Sequence, residues 1–361
     1  ALFSPIRKYE TWCTNEPFCA NGNFGAFTIG PNKIKSDSNY HVIPHIAKSW
    51  QLENDSAFAL VFYGRGGMNT DWAGGTATFD PGMGVSTWPG TFGDGIAELP
   101  INGTPGNGTT GVNLSQALLD ITWAKKFNEK FSLGLSVVGA MQMFEAEGLR
   151  TFAPYTKTAL TSGPQAVTSL SNNGSDISWG YGFKIGIHAP LSDALAVGAM
   201  YQTKIKMTKL DDYSDLFAER GGFDMPANLK VGLTFKASDA IAISLDIEHT
   251  WFSEVKAVGN PIQGLFSCGP QFPENCLGGQ NGAGFGWDDM TVYKAGLRWK
   301  TSDKWTWRAG YSLGDQPISN DQMTFNILAP AVIEQHFTGG FTFSHKPGRE
   351  FNMSFMYAPN N

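Results

Sequence analysis

Apolar and polar side chains alternate with a period of two along several long segments of this chain. In residues 227–236, for example, Leu229, Val231 and Leu233 are separated by Lys230. The same alternation runs through three further segments, 240–251, 291–300 and 305–313. Because successive side chains of a β-strand point to opposite faces, this pattern predicts strands with one apolar face and one polar face.

Nine other segments can be read as strands, which gives thirteen predicted strands. They lie at about 1–10, 39–52, 57–70, 113–126, 131–148, 176–190, 194–209, 331–344 and 350–358. Barrels in bacterial outer membranes close with an even number of strands. The odd count therefore predicts a barrel of fourteen strands, of which the last would follow Asn361.

The connections between these segments alternate between short and long. Short polar turns lie at 53–56, 128–130, 191–194, 238–239, 302–304 and 346–349. Long connections lie at 11–38, 71–112, 149–175, 210–224, 252–288 and 314–330. This alternation is typical of an outer-membrane barrel, whose short turns face the periplasm and whose long loops face the outside. A soluble β-sandwich would have shorter strands and less regular connections.

The composition agrees with a membrane barrel. Charged residues make up 16% of the chain, whereas a soluble domain usually has about 25%. Trp299, Trp307 and Tyr311 fall near predicted strand ends, as expected of the aromatic belt at a membrane interface. No linker or charge run divides the chain. We therefore predict an all-β fold in which residues 1–361 form a single transmembrane antiparallel β-barrel.

The four cysteines form two close pairs in loop-like text, Cys13 with Cys19 and Cys268 with Cys276. Four cysteines allow three pairings, and pairing within each short loop is the simplest. Two such disulfides would indicate an oxidising compartment. A zinc site is the weaker interpretation, because the spacings do not suit one and no histidine lies nearby.

Other classes of function find little support in the sequence. The net charge of −6 and the lack of a basic stripe argue against a nucleic-acid partner. His41 and His45 share a strand face, but four strand residues span about 13 Å, which is too far to chelate one metal. The chain has no G-x-S-x-G motif. We expect no enzymatic activity, no metal and no cofactor.

Five ordered segments resemble the FadL family of outer-membrane long-chain fatty acid transporters, which also includes channels for aromatic hydrocarbons. They are 179–183, 224–228, 305–311, 314–318 and 325–330. The resemblance implies a fourteen-stranded barrel in the outer membrane of a Gram-negative bacterium. It also implies an N-terminal segment folded inside the barrel as a hatch, which would precede residue 1. A plug is expected on physical grounds too, because fourteen strands would leave a substantial hole.

The third predicted strand contains Gly64, Gly66 and Gly67, and the neighbouring strand contains Pro44. Glycines weaken a strand and permit a bulge, and proline cannot donate to the ladder. These residues predict a local break between strands two and three. The resemblance implies that a kink here opens the barrel wall sideways; the alternative is glycine used for ordinary close packing.

Two long loops carry many apolar residues. The predicted groove residues are Phe152, Tyr155, Leu160, Leu170, Tyr213, Leu216, Phe217 and Phe223. The spacing of residues 210, 213 and 217 suits one face of a short helix. Exposed apolar patches on such loops would be costly without a purpose. The resemblance implies a surface groove that first captures the substrate; the alternative is that the loops pack on themselves.

The interior of the barrel offers candidates for an inner pocket. They are Phe144, Met200, Lys204, Arg298 and Arg308. One of the cations could anchor a carboxylate. The alternative is a network of mutually paired charges.

The sequence therefore predicts a passive channel for hydrophobic molecules, with long-chain fatty acids as the first candidate cargo. Capture would occur at the loops, followed by a lumen pocket and lateral exit at strand three. The alternatives are a hydrocarbon channel of the same family, a water-filled porin, and a structural or adhesive surface barrel whose loops bind a partner. The expected partners are outer-membrane lipid, lipopolysaccharide and the hydrophobic cargo, and we expect a monomer.

Overall fold

The computed structural model describes residues 2–3, 6–11, 27–29, 32–73, 77–79, 99–100, 109–346 and 348–359. Within these residues the regular secondary structure is mainly β. The strands are β1 (Leu2–Phe3), β2 (Lys8–Thr11), β3 (Phe27–Ile29), β4 (Asn32–Lys35), β5 (His41–Val42), β6 (His45–Gln51), β7 (Ser56–Arg65), β8 (Asn69–Ala73), β9 (Ala77–Phe79), β10 (Leu99–Pro100), β11 (Thr109–Asn128), β12 (Phe131–Glu147), β13 (Asp176–Pro190), β14 (Leu195–Gln202), β15 (Lys206–Met207), β16 (Asn228–Lys236), β17 (Ile241–Thr250), β18 (Met290–Lys300), β19 (Trp305–Gly314), β20 (Gln335–Lys346) and β21 (Arg349–Tyr357).

Fourteen of these strands form one antiparallel sheet. Twelve follow each other in the order β21-β20-β19-β18-β17-β16-β14-β13-β12-β11-β7-β6. The other two continue earlier strands, since β8 follows β7 along β11 and β15 follows β14 along β13. Neighbours in this order are close neighbours along the chain, as in a meander joined by hairpins. The sheet therefore confirms the predicted all-β antiparallel architecture.

The first predicted strand is an exception. Instead of one strand over residues 1–10, the structure has β1 pairing with β5 and β2 pairing with β4, and neither joins the large sheet. Pro5 lies between the two segments in the sequence, and a proline has no N–H to donate to a ladder. Likewise, Pro44 separates β5 from β6, so that predicted strand 39–52 is divided in two.

The two faces of the sheet differ as the alternation predicted. On β16, Val231, Leu233 and Phe235 are 48%, 37% and 45% exposed, although all three are apolar. The same is true of the outward residues of most other strands of the sheet. An apolar face of this extent is far larger than the patches that soluble proteins expose. It suits contact with lipid.

Aromatic side chains gather near the short-turn end of strands β18 to β21. Trp305 stacks on Trp307, with ring centroids 5.6 Å apart and planes 9° from parallel. Phe341 and Phe343 lie against Trp305, at 5.5 and 4.8 Å, and Trp299 is the cross-strand partner of Trp307. Such a cluster at strand ends corresponds to the aromatic belt of a membrane interface.

The helices are all short and lie in the long connections. They are α1 (Lys157–Ser162), α2 (Ala218–Gly221), α3 (Lys256–Gly259) and α4 (Met323–Asn326), with 3-10 turns at Arg150–Tyr155, Pro164–Ala166, Asp211–Tyr213, Phe252–Glu254, Ile262–Ser267, Pro273–Asn275 and Asn320–Gln322. In the described part of the chain, no helix has the length and apolar character required to cross a membrane.

The predicted helical face at 210, 213 and 217 is wrong. The segment contains only the turn Asp211–Tyr213, and the amide of Leu210 donates to the carbonyl of Gly221, which closes the loop on itself. Glu219 and Arg220 both have positive φ, near 60°, so α2 is one irregular turn. A chain that turns back in this way cannot continue a helical hydrogen-bond pattern.

Candidate functional site

The third predicted strand, which consists of β7 and β8 and is called strand three below, is interrupted by a bulge. β7 pairs with β11 as far as Arg65 opposite Gln116, and β8 resumes the pairing at Asn69 opposite Asn113. Three residues, 66–68, therefore face only two residues of β11. An extra residue in one strand of an antiparallel pair is a β-bulge, which bends the strand and disrupts the ladder locally.

The three glycines predicted at this break have different surroundings. An ideal Cβ on Gly67 would lie 1.9 Å from the carbonyl oxygen of Leu114, so no side chain fits there. A Cβ on Gly64 would lie 2.9 Å from Cδ of Pro44, which is a tight contact. Gly66 has no heavy atom within 4 Å of its ideal Cβ position. The bulge therefore requires glycine at 67, whereas position 66 faces open space.

On its other edge, strand three stops pairing with β6 near the same level of the wall. The ladder between β6 and β7 ends at His45 and Tyr63, followed by one bond from the amide of Gly64 to the carbonyl of Pro44 at 2.8 Å. Before Pro44 the chain pairs with β1 instead. The predicted break between strands two and three is present in the structure, and its role as an exit stays a prediction.

The apolar loop residues form one buried cluster, which we call the loop cluster. Its fully buried members are Val112, Leu114, Phe144, Ala146, Leu149, Phe152, Ala153, Val167, Leu170, Leu210, Tyr213, Phe217, Phe223, Val255, Ala257, Val258, Leu265, Leu277, Ala283, Phe285 and Ala329. Tyr155 and Leu216 are partly buried against it. At its centre, the ring of Phe144 contacts the rings of Tyr213 and Phe217, each at 4.8 Å.

This arrangement bears on two of the predictions. The residues predicted to line an open groove are brought together, but they bury one another, as the alternative of self-packing predicts; Leu160 is not part of the cluster. Phe144 was predicted to line an inner pocket, yet it belongs to the loop cluster and is fully buried. The reason is that apolar side chains on neighbouring loops leave water by packing together. Binding among them would require the loops to separate.

Tyr213 fixes the loop 210–224 to the end of β12. Its hydroxyl donates to the carbonyl of Gly174 at 2.5 Å and accepts from the amide of Ala146 at 3.1 Å. Burial raises the pKa of the Tyr213 phenol, and the backbone hydrogen bonds oppose part of this effect. The phenol therefore stays protonated and able to donate at neutral pH.

Polar contacts hold the long loops to each other. Lys157 pairs with Glu274 at 2.5 Å, Lys256 pairs with Glu219 at 3.0 Å, and Arg220 donates to the hydroxyl of Thr158 at 3.1 Å. The predicted disulfide between Cys268 and Cys276 is present. Cys13 and Cys19 lie outside the described residues. Together these links make the outer loops one connected cap.

On the inner face of the sheet, several charged groups form ion pairs. Glu248 accepts from Lys230 at 3.0 Å and from Lys294. Arg308 donates to Thr342 at 2.6 Å and lies directly across from Arg298. These two arginines line one cavity, whereas Met200 lines another. Lys204 is exposed and only approaches the carbonyl of Glu254, at 3.5 Å. The predicted inner-pocket residues thus do not converge on one pocket.

An inner ion pair lies beside the strand-three break, and the sequence did not point to it. Lys184 donates to Asp120 at 2.5 Å and to the hydroxyl of Tyr63 at 2.8 Å. Both side chains of the ion pair are largely buried. Tyr63 also packs on a small apolar cluster formed by Leu118, Val138, Ala140, Ile205, Met207 and Met225. Lys184 alternates with the exposed residues Phe183 and Ile185 on β13, but its partners lie on β7 and β11, so no local pattern identifies them.

The apolar cluster near Tyr63 had one signal in the sequence. Gly180 and Gly182 alternate with aromatic residues in the segment 179–183. An ideal Cβ on Gly180 would lie 2.3 Å from Sδ of Met207, and one on Gly182 would lie 2.8 Å from Cγ1 of Ile205. The two glycines therefore let the chain after β14 pack closely against β13.

No group of three or more potential metal ligands occurs among the described residues. The cavities, the loop cluster and the strand-three break are thus the features from which a function can be argued.

Comparison with known proteins identifies a matching family. The model of the family described as "Outer membrane protein transport protein (OMPP1/FadL/TodX)" matches residues 103–360. The comparison with curated protein sequences gave no significant match.

Solved structures of similar fold include two toluene transporters and a FadL homologue. The Pseudomonas putida toluene transporter TodX is 16% identical, with a TM-score of 0.60 over 98% of this chain and 80% of that chain. The Ralstonia pickettii toluene transporter TbuX is 15% identical, with a TM-score of 0.55 over 90% of this chain and 79% of that chain. A Pseudomonas aeruginosa FadL homologue is 16% identical, with a TM-score of 0.56 over 99% of this chain and 78% of that chain. At these identities the likeness shows the fold, which confirms the predicted β-barrel.

Proposed function

Because the chain belongs to the outer-membrane transport protein family OMPP1/FadL/TodX, we propose that it is a passive channel that takes up hydrophobic molecules and releases them sideways through its wall. Members of this family lie in the outer membrane of Gram-negative bacteria and transport hydrophobic compounds. They are transport channels and not enzymes. Long-chain fatty acids are the first cargo to test. Aromatic hydrocarbons are an equally supported second candidate, since two of the similar structures are toluene transporters.

The observation that carries the proposal is the bulge at residues 66–68. It lies where the ladder to β6 has ended, so strand three has weakened pairing on both edges at one level of the wall. Backbone N–H and C=O groups that lack partners at such a break cannot bond to the hydrocarbon of the membrane, and this destabilises the barrel. A break that persists in the wall is therefore expected to serve a function. Gly66 and Gly67 are exposed there and carry no side chain to fill the space.

Capture is proposed at the loop cluster. A hydrophobic molecule gains roughly 0.8 kcal/mol per buried CH₂ group when it leaves water. The cluster offers aromatic surfaces from Phe144, Phe217 and Phe223 within one cap. Entry requires the loops to separate, and the apolar surface of the cargo would then replace contacts that the loops make with each other.

The path from the cluster to the wall is short. Leu114 belongs to the loop cluster, is paired with Phe144, and contacts Gly67 at the bulge. Met68, the last residue of the bulge, packs against the cluster as well. A molecule that leaves the cluster therefore meets the break directly. No energy source is needed, and the direction of net transport would follow consumption in the cell.

The proposal includes outer-membrane lipid and lipopolysaccharide as surroundings, and a monomer as the working unit. The experiment is uptake of radiolabelled oleate and of toluene by cells that express the chain, compared with cells that do not. The proposal expects faster uptake of at least one of them. Equal uptake together with steady ion conductance in planar bilayers would favour the water-filled porin instead.

A further inference from the structure

The connection between β19 and β20, residues 315–334, extends to strand three and contacts it at β8. We call it the strap. The hydroxyl of Thr70 donates to the carbonyl of Leu328 at 2.7 Å, and the indole N–H of Trp72 donates to the carbonyl of Ile327 at 3.0 Å. Both donors belong to β8, the part of strand three beyond the bulge, and both side chains are almost fully buried.

The strap is also part of the loop cluster. Ala329 is one of its buried members, and Phe325 and Leu328 pack against it. The ring of Phe325 contacts the ring of Phe152 edge-on, with centroids 5.2 Å apart. The strap therefore touches both the proposed capture site and the outer part of the proposed exit.

The far side of the strap is fixed by other polar contacts. Gln322 accepts from the amide of Ile262 at 2.8 Å, and Asn326 donates to the carbonyl of Phe285 at 2.6 Å while it accepts from the indole of Trp287 at 2.5 Å. The strap is therefore bonded to the loop 252–288 on one side and to β8 on the other, so its movement would affect both.

The bulge gives β8 the freedom to respond. The backbone of residues 66–68 connects β8 to β7, and Gly66 has open space around it. The edge of β8 away from β11 makes contacts with the chain near residue 36: the amide of Asp71 donates to Ser36, and the carbonyl of Asp71 accepts from Asp37. The opposite edge of β8 pairs with β11 over five residues, so the strap is a restraint on β8 in addition to its two edges.

We propose that Thr70 and Trp72 are positioning residues that couple capture to exit. A hydrophobic molecule that enters the loop cluster displaces Phe325 and Leu328, the strap shifts, and the hydrogen bonds to Thr70 and Trp72 are lost. With this restraint lost, β8 can bend at residues 66–68 while it stays paired with β11, which widens the break at the bulge. This inference rests on the proposed function, since it joins two sites that the proposal names. Ligand binding can shift β8 in this way because the cargo binds better when the strap is displaced.

The test measures the position of strand three without measuring transport. Spin labels are placed at Gly66→Cys, where a side chain has room, and at Glu129→Cys, in the exposed turn after β11. Distances are recorded by pulsed electron paramagnetic resonance in lipid nanodiscs, with and without oleate or toluene. The change under test is Thr70→Val with Trp72→Phe, which removes both donors and keeps most of the packing.

The matched control is Thr122→Val. Thr122 lies on β11 and bonds to Ser136 on β12, so this substitution also removes one hydroxyl hydrogen bond but leaves the strap untouched. A thermal unfolding scan of all variants checks that each is folded.

The proposal expects a narrow distance distribution in the parent and in the control without ligand, which ligand broadens toward longer distances. In the double variant the distribution should already be broad without ligand, and ligand should add nothing. If the ligand-free double variant shows the same narrow distance distribution as the ligand-free parent, the proposed coupling is wrong, whatever the result of uptake assays. If neither oleate nor toluene binds the parent, the proposed function is wrong, and the ligand-free comparison still decides whether Thr70 and Trp72 hold β8.

Discussion

The carbonyl oxygen of Leu114 occupies the space that a Cβ atom on Gly67 would need, at 1.9 Å from the ideal position of that atom. The close approach exists because three residues of strand three must pass two residues of β11. It places the backbone of the bulge directly against a residue of the loop cluster. The same contact therefore fixes the shape of the break and links it to the loops.

Gly67→Ala should destabilise the barrel, because either β8 or the backbone of Leu114 must move. Overpacking of this kind typically costs about 1–3 kcal/mol. The measurement is the temperature at which the folded band is lost in unheated gel electrophoresis. Gly66→Ala is the matched control and should unfold like the parent, since nothing lies within 4 Å of its Cβ position. Equal stability of the two variants would show that the bulge is not held in this geometry.

Lys184→Met should be strongly destabilising, because it leaves the carboxylate of Asp120 largely buried without its cation. Breaking a buried pair in this way costs about 3–5 kcal/mol. The double variant Lys184→Met with Asp120→Leu should recover most of this loss, since both charges are then removed. Urea unfolding in detergent micelles measures the difference. A double variant as unstable as the single one would mean that the two side chains are not coupled.

Tyr213→Phe should loosen the cap, because the amide of Ala146 then loses its partner. An unsatisfied buried amide costs about 1–3 kcal/mol. Protease cleavage within the loop 210–224 is the readout, and Tyr293→Phe on the outer face of β18 is the control.

The raised pKa of Tyr213 adds a dependence on pH. The folded state holds the phenol proton more tightly than the unfolded state, so the stabilisation is complete below the ordinary tyrosine pKa of about 10. It declines as the pH rises above that value toward the folded pKa. Loops of the parent should therefore become more sensitive to an alkali-tolerant protease above this pH, while the Phe variant should show a smaller change. Identical pH profiles would contradict this role.

The strands were predicted well wherever their pattern is local. The segments 227–236, 240–251, 291–300 and 305–313 differ by at most a residue at each end from β16, β17, β18 and β19. A period of two is a property of the strand itself, since it reflects which side chains face lipid and which face the interior. The single strand predicted for residues 1–10 was wrong. The partners of this segment lie at 32–35 and 41–42, and the pattern of the segment alone does not select them.

The candidate site was predictable only in part. The break was predictable from Pro44, Gly64, Gly66 and Gly67. Proline lacks the N–H that a ladder needs, and glycine has no side chain to pack on the sheet. The closure of the loop cluster and the bond from Thr70 to Leu328, 258 residues apart, could not be found from the sequence. They depend on which loops meet above the barrel, and that is decided by the order of the strands and not by any local pattern.

The measurement that tests the lateral route most directly is oleate and toluene uptake by cells carrying Gly66→Phe. This side chain would extend into the open space at the bulge and block it. Gly139→Phe is the matched control, because Gly139 is an exposed glycine of β12 whose nearest neighbour lies 4.0 Å from its ideal Cβ. With equal amounts of folded protein in the outer membrane, the proposal predicts that Gly66→Phe reduces uptake to the level of cells without the chain, while Gly139→Phe leaves it unchanged. Uptake that is equally fast in both variants would contradict exit through the wall.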